Sequence, residues 1–190
     1  MLIALCGAAG SGKNTIADRL VKEHGFYHIA FADPLYEMVS IVTGLSREDL
    51  EDREVKETVI DWLGKSPREL LQSLGTEWGR NAVHDQIWIM AAFRRVADLH
   101  AAGRDVVITD VRFDNEAVAA KAAGGVVWRV VRRGGPRLAG GSAAHSSEAG
   151  VPDVLVDAEI ANSGTVADLN ARVDAAISMV LNATIHSSTL

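Results

Sequence analysis

A three-layer α/β fold, with a five-stranded parallel sheet and helices on both faces, is what this 190-residue sequence predicts. Three observations lead there. Continuous apolar runs, Val106-Val107-Ile108 and Val126-Val127-Trp128 above all, suit strands buried on both faces. Segments of helical periodicity alternate with them, which implies right-handed crossovers between parallel strands. The first apolar run, Leu2 to Cys6, enters a glycine-rich turn that opens a helix.

Taken in order, the expected strands lie near 2–6, 27–31, 105–110, 126–131 and 154–160. The expected helices lie near 13–24, 34–43, 46–57, 67–81, 85–101, 114–123 and 165–181. Ile16, Ala17, Leu20 and Val21 give the first helix an apolar face at helical spacing. Asp33-Pro34 reads as an N-cap followed by the first helical residue. Ser66-Pro67-Arg68-Glu69 reads likewise, with Glu69 completing a capping box. Gly103 and Gly124-Gly125 stop the helices before them. Asn162-Ser163-Gly164-Thr165 is a turn into a helix capped by Thr165, and the residues from about 183 to 190 are expected to fray.

The opening segment carries the strongest chemical signal. Gly7, Gly10 and Gly12 let backbone wrap closely around oxygen atoms. The loop N–H groups and the positive end of the following helix favour an anion, and Lys13 would reach its terminal phosphates. Gly7 to Lys13 fits the phosphate-loop pattern of nucleoside triphosphate enzymes, with Ala9, Gly10, Ser11, Gly12, Lys13, Asn14 and Thr15 around the nucleotide. One position departs from it. The hydroxyl usual directly after the lysine is replaced by Asn14, and Thr15 follows one residue later.

Composition sets the bounds. A chain of this length can bury roughly 70% of its unfolded surface. It is 48% hydrophobic and 23% charged, ordinary for a globular domain. No run of apolar residues is long enough to span a membrane, and the N-terminus lacks the basic start of a signal peptide. Cys6, the single cysteine, excludes an internal disulfide, fits a reducing cytoplasm and reads as a small core hydrophobe. The net charge of −6 argues against a nucleic-acid binder. Yet the stretch from Arg129 to Ser147 holds four arginines, Arg129, Arg132, Arg133 and Arg137, and no acid, which suits a small polyanion.

Val106 to Asp110 is an apolar strand ending in a carboxylate, placed to orient Mg²⁺ beside a phosphate loop. Arg112 could fork onto a phosphate or pair with Glu116. The mostly helical stretch between the second and third strands is too long for a simple crossover and reads as a subdomain for a second substrate. The glycine-rich segment 134–144 reads as a lid carrying arginines to a transferring phosphoryl group. Asp61-Trp62-Leu63-Gly64 matches the D-x-x-G of switch GTPases, but no base-reading N-K-x-D exists, so it reads as a helix end capped by Gly64. His24, His28, His84 and His100 lack metal-ligand spacing.

Together these segments resemble the phage-type deoxynucleoside monophosphate kinases of the P-loop nucleoside monophosphate kinase superfamily. The resemblance rests on Gly7 to Thr15, Phe31-Ala32-Asp33-Pro34-Leu35, Arg53-Glu54-Val55-Lys56-Glu57 and the block Ser66 to Arg80. It continues through Asp110-Val111-Arg112-Phe113 with Asn115-Glu116, His145-Ser146-Ser147-Glu148 and Asn162 to Thr165. The Ser66–Arg80 and Asp110–Phe113 blocks are the specific ones. Where the family usually has aspartate, this chain has Asn14.

The resemblance implies a P-loop kinase fold and transfer of the γ-phosphoryl of ATP to a deoxynucleoside 5′-monophosphate with Mg²⁺. Lys13, Arg112, Arg132 and Arg133 would be catalytic, and Asn14 with Asp110 would serve the metal, directly or through water. Asn162 and Gly164 stand where the superfamily holds adenine. Asp33, Arg68, Trp78, Arg80, Arg112 and Arg137 would meet the acceptor. One domain over 1–182 would carry an acceptor-binding insertion at about 33–100 and a mobile lid at about 132–150, followed by a flexible tail at 183–190. Small-molecule partners, no nucleic acid, no membrane, a cytoplasmic location and a homodimer complete the expectation. The rivals are a dephospho-coenzyme A or phosphomevalonate kinase and a P-loop switch module.

Overall fold

The computed structural model of the protein describes residues 1–132 and 150–187. Five strands form one parallel sheet: β1 (Leu2–Cys6), β2 (Tyr27–Ile29), β3 (Val106–Val111), β4 (Val126–Val131) and β5 (Ala158–Ala161), in the order β2-β3-β1-β4-β5. The chain divides into two compact units, one of residues 1–29 with 96–190 and the other Ala30–Arg95.

The sheet belongs wholly to the first unit. So do α1 (Lys13–His24), α7 (Asp114–Ala122) and α8 (Val166–Ser187). Side chains alternate across β1. Ile3 and Leu5 join Ile16 and Leu20 of α1, Trp128 and Val130 of β4, and Leu169, Val173 and Ile177 of α8 in one buried cluster. Leu2 points the other way, toward Gly125 and the end of α7, where Ala117 and Ala120 are buried. Helices thus cover both faces, and β1, buried along its whole length, carries no polar side chain. Burying each large aliphatic side chain contributes about 1.5–3 kcal/mol.

The second unit holds α2 (Asp33–Thr43), α3 (Arg47–Glu51), α4 (Arg53–Glu57), α5 (Pro67–Gln72) and a π-helix over Ser73–Val83. α6 (Ile87–Ala101) follows, with the boundary between the units inside it. The helix expected over 46–57 is two helices. Asp52 breaks it by turning extended, and its carboxylate caps the second piece through the Glu54 and Val55 N–H groups. The helix expected over 67–81 starts with the expected Ser66–Glu69 capping box but widens into the π-helix, closed by His84 N–H donating to the Gly79 carbonyl. Asp61 to Gly64 is no helix end: it is a tight loop between the bridged pair Ile60 and Lys65, with Gly64 N–H donating to the Ile60 carbonyl.

Three further elements differ from expectation. Asp33 is the first residue of α2 rather than its cap, and its carboxylate takes the Ala30 N–H at 2.7 Å as the chain leaves β2. The last strand begins at Ala158, later than expected, because Asp153–Leu155 winds as a 3₁₀ turn. The closing helix runs to Ser187, since no glycine or proline stops it at 181. Arg133, Arg137, His145 to Glu148 and nearly all of the expected lid lie outside the described residues, as do residues 188–190. Among the described residues, no helix is long and apolar enough to cross a membrane.

One ion cluster ties α1 to α8. Arg19 and His24 each approach the Asp174 carboxylate at 2.8 Å, and chiefly the Arg19 bond lowers its pKa from 3.8 to about 2. A depressed carboxylate stabilises the fold above its unfolded value, and that gain disappears as pH falls through the folded value. Asp174→Asn therefore lowers stability by about 0.5–1 kcal/mol at pH 7, the scale of a solvent-screened pair. In paired urea titrations, the gap between parent and variant closes between about pH 4 and 2. A gap independent of pH would exclude this origin.

Candidate active site

β1 delivers the chain into the loop of residues 7–12, and α1 begins at Lys13. β1 lies at the middle of the sheet, between β3 and β4. The loop therefore sits at the carboxyl edge, where open α/β sheets take their ligands. No side chain caps α1, whose N-cap is Gly12 at φ 109°. Its first-turn N–H groups, together with the helix dipole, favour an anion at that end.

Several distant residues close on this loop. The Asn162 amide, from the turn after β5, donates to the Ser11 carbonyl at 2.8 Å. A Cβ on Gly12 would stand 2.4 Å from that same amide nitrogen, so the clamp requires glycine there. The Arg132 guanidinium donates to the Gly10 carbonyl at 3.3 Å. Ser11 is 3% exposed, yet its hydroxyl has no hydrogen-bond partner among the described residues. Such orphaned buried groups are rare in folded proteins.

Lys13 donates to the Gly7 and Ala8 carbonyls at 2.7 and 2.8 Å. Burial lowers its pKa most, the Arg112 charge lowers it further, and Cys6 and Asp110 oppose them. Asp110 and Arg112, at the end of β3, thus act electrostatically on the loop lysine. The Glu116 carboxylate takes the backbone N–H groups of Arg112 and Phe113 at 2.7 and 3.1 Å, as the first turn of α7 requires. Arg129 is turned away from this chemistry. It bonds Asp153 and the Val151 carbonyl, and holds the chain as it returns toward β5.

A cavity of about 410 Å³ results, lined by Gly10, Gly12, Lys13, Asn14, Thr15, Arg132, Asn162 and Gly164. Val166 and Leu169 complete the wall. Sequence reasoning missed these two; their signal is an apolar i, i+3 pair directly after the Asn162–Thr165 turn. The oxygen donors nearby, Asn14, Thr15, Asp110 and the orphaned Ser11 hydroxyl, suit a hard cation such as Mg²⁺. Among the described residues, no three His, Cys, Asp or Glu side chains form a cage for a metal. Mg²⁺ characteristically completes such a sparse site with phosphate oxygens.

The remaining residues lie in the second unit. Asp33 pairs with Arg47 at 3.0 Å, and Arg68 with Glu57 at 2.5 Å. Trp78 and Arg80 ride on the π-helix, with Trp78 44% exposed and Arg80 half-buried. The Trp88 indole supports this turn, donating to the Gly75 carbonyl at 2.8 Å and lying 6.2 Å from the Trp78 ring.

Comparison with known proteins bears on this geometry. Residues 43–173 match the family model described as deoxynucleotide monophosphate kinase. A candidate deoxynucleotide monophosphate kinase of Acanthamoeba polyphaga mimivirus is 36% identical, over 70% of this chain and 75% of that protein. The deoxynucleoside-5′-monophosphate kinase of Escherichia phage T5 is 28% identical, over 61% of this chain and 70% of that one. Among solved structures, the dephospho-CoA kinase from Campylobacter jejuni superposes with a TM-score of 0.53 at 13% identity, covering 96% of this chain and 98% of its own. A gluconokinase from Sinorhizobium meliloti 1021 gives 0.53 at 13%, covering 98% and 96%. At such identity these two speak for the fold alone, the α/β fold of P-loop kinases.

Proposed function

Because this chain belongs to the deoxynucleotide monophosphate kinase family, we propose that it transfers the γ-phosphoryl group of ATP to the 5′-phosphate of deoxynucleoside monophosphates. The observation that carries the reading is the convergence of Lys13, Arg132, Asn162 and Gly164 on one cavity at the uncapped start of α1.

Phosphoryl transfer needs positioning and charge neutralisation more than covalent help. Ala9 to Thr15 wrap the ATP phosphates, and Lys13 exchanges its two carbonyl acceptors for phosphate oxygens. The turn Asn162–Gly164 takes the adenine, with Val166 as an apolar wall. Asn14 and Asp110 would hold Mg²⁺, directly or through water; when bound, the ion neutralises phosphate charge. An oxygen of the acceptor phosphate attacks the γ-phosphorus, the bond to the β-bridging oxygen breaks, and ADP leaves. The acceptor is already anionic, so no general base is required. Arg112 grips the acceptor phosphate. Arg132, with Arg133 and Arg137, neutralises the moving group.

The acceptor is assigned to Trp78, Arg80, Asp33 and Arg68 of the insertion, the last two oriented by their ion pairs. Trp78 offers an exposed face on which a base can stack. A cytoplasmic enzyme, in the host cell if phage-encoded, accords with the lone cysteine. A homodimer accords with the family resemblance.

A coupled ADP-release assay across the four dNMPs and four NMPs tests the function, with dephospho-coenzyme A and phosphomevalonate as further acceptors. Turnover is expected with deoxynucleotides. Release of ADP only with one of the other acceptors would overturn the reading.

A further inference from the structure

The helix α4 carries a cation that the chemistry above leaves unused. Lys56 is half-buried, its ammonium donates to the Tyr36 hydroxyl, and it lies 4.7 Å from the Tyr36 ring centroid. The Arg47 guanidinium covers the same ring at 4.0 Å. All three residues belong to the Ala30–Arg95 unit.

The two cations differ in how they are neutralised. Arg47 has Asp33 at 3.0 Å and Glu51 at 2.6 Å. Lys65 and Arg68 of this unit also have carboxylate partners, Glu69 and Glu57. Lys56 has a phenol as its hydrogen-bond partner and, among the described residues, no carboxylate within ion-pair distance. A half-buried ammonium sheds part of its hydration, and no carboxylate among the described residues pairs with it. Holding a long lysine side chain in one place also sacrifices rotamer freedom. Such an arrangement is stabilised when an anion arrives from outside.

The donors match a phosphate. An ammonium has three N–H groups, and Tyr36 takes one. Tyr36 accepts through its oxygen, so its own proton stays available to donate. The pair therefore presents three donors around one positive charge, and a phosphate monoester presents three acceptor oxygens and a double negative charge. We propose that Lys56 and Tyr36 form a subsite for the 5′-phosphate of the acceptor deoxynucleotide, with Arg47 as a positioning residue that fixes the Tyr36 ring. This inference rests on the deoxynucleotide kinase reading and adds residues to it.

The test compares the parent with Lys56→Met, Lys56→Arg and Tyr36→Phe. Steady-state rates are measured with dNMP varied and with ATP varied, and inhibition by the matching deoxynucleoside, which lacks the phosphate, is measured alongside. Lys56→Met should raise the dNMP KM about 10–100-fold, the worth of a charge-assisted hydrogen bond to phosphate. ATP KM and deoxynucleoside inhibition should not change, and Lys56→Arg should restore most of the loss. Tyr36→Phe should raise the dNMP KM about 3–10-fold, as for a neutral hydrogen bond. If Lys56→Met does not fold, judged by its melting curve, Lys56→Arg and Tyr36→Phe carry the test. Unchanged dNMP kinetics in an active, folded Lys56→Met protein would overturn the subsite. So would a parallel loss of deoxynucleoside binding, which would place Lys56 on the base or sugar. A parent that phosphorylates no dNMP would instead overturn the function itself.

Discussion

Lys13→Ala should reduce phosphoryl transfer about 10³-fold or more while leaving the melting temperature close to that of the parent. The size of the loss follows from removing the loop cation that faces the charge developing on the transferred group. The stability follows from the local geometry. The two Lys13 hydrogen bonds go to backbone carbonyls of an exposed loop, and water can replace the ammonium there. Moreover, burial and the Arg112 charge already disfavour the lysine's charged form, so the folded protein gains little from holding it. ADP release and a thermal melt check the two parts. Transfer at the parental rate would remove the loop from the mechanism, and a collapsed melt would make Lys13 a folding residue.

Gly12→Ala is the second large effect, and it should abolish measurable ATP binding by calorimetry. Two penalties combine. The backbone φ of 109° is one that an alanine rarely adopts, and its Cβ would lie 2.4 Å from the Asn162 amide nitrogen. Forcing such backbone costs about 1–3 kcal/mol, and the overlap displaces the bond that clamps the Ser11 carbonyl. Gly10→Ala is the internal control. Its φ is 72°, but no atom lies within 4 Å of the added Cβ. It carries only the left-handed backbone cost of about 1–2 kcal/mol and should bind ATP measurably. Asn162→Ala loses the same clamp without the backbone strain, so it should weaken ATP binding less than Gly12→Ala. Equal binding by Gly10→Ala and Gly12→Ala would refute the clamp.

Reading elements from the chain works best where the cause is local. Gly12 before Lys13, Ser66 with Glu69, and Thr165 with Asp168 all act within one turn, and their helices start where the spacing predicts. It works less well where two local signals compete. Residues 46–57 have one helical periodicity, but Asp52 caps a second helix inside it. The π-helix is a case of tertiary override. Gly79 lies against the Trp88 indole, and a Cβ there would stand 2.4 Å from the ring. That partner is nine residues away, beyond the reach of any propensity argument.

The site divides in the same way. The loop, its lysine and the strand-end carboxylate Asp110 are each legible from their own neighbours. That Arg132 reaches the Gly10 carbonyl and Asn162 the Ser11 carbonyl is not. Likewise, Lys56 stands in a recognisable motif, yet its bond to the Tyr36 hydroxyl beneath Arg47 is visible only in the folded unit.

By itself, then, the sequence determined the parallel α/β architecture, the phosphate loop and the family, because periodicity, glycine torsions and caps act over a few residues. Tertiary structure alone decided the strand order that sets β1 between β3 and β4, the cavity closed by residues about 120 and 150 positions from the loop, and which charges pair across the fold. Those depend on which surfaces pack together, and packing brings together groups whose separation along the chain carries no signal.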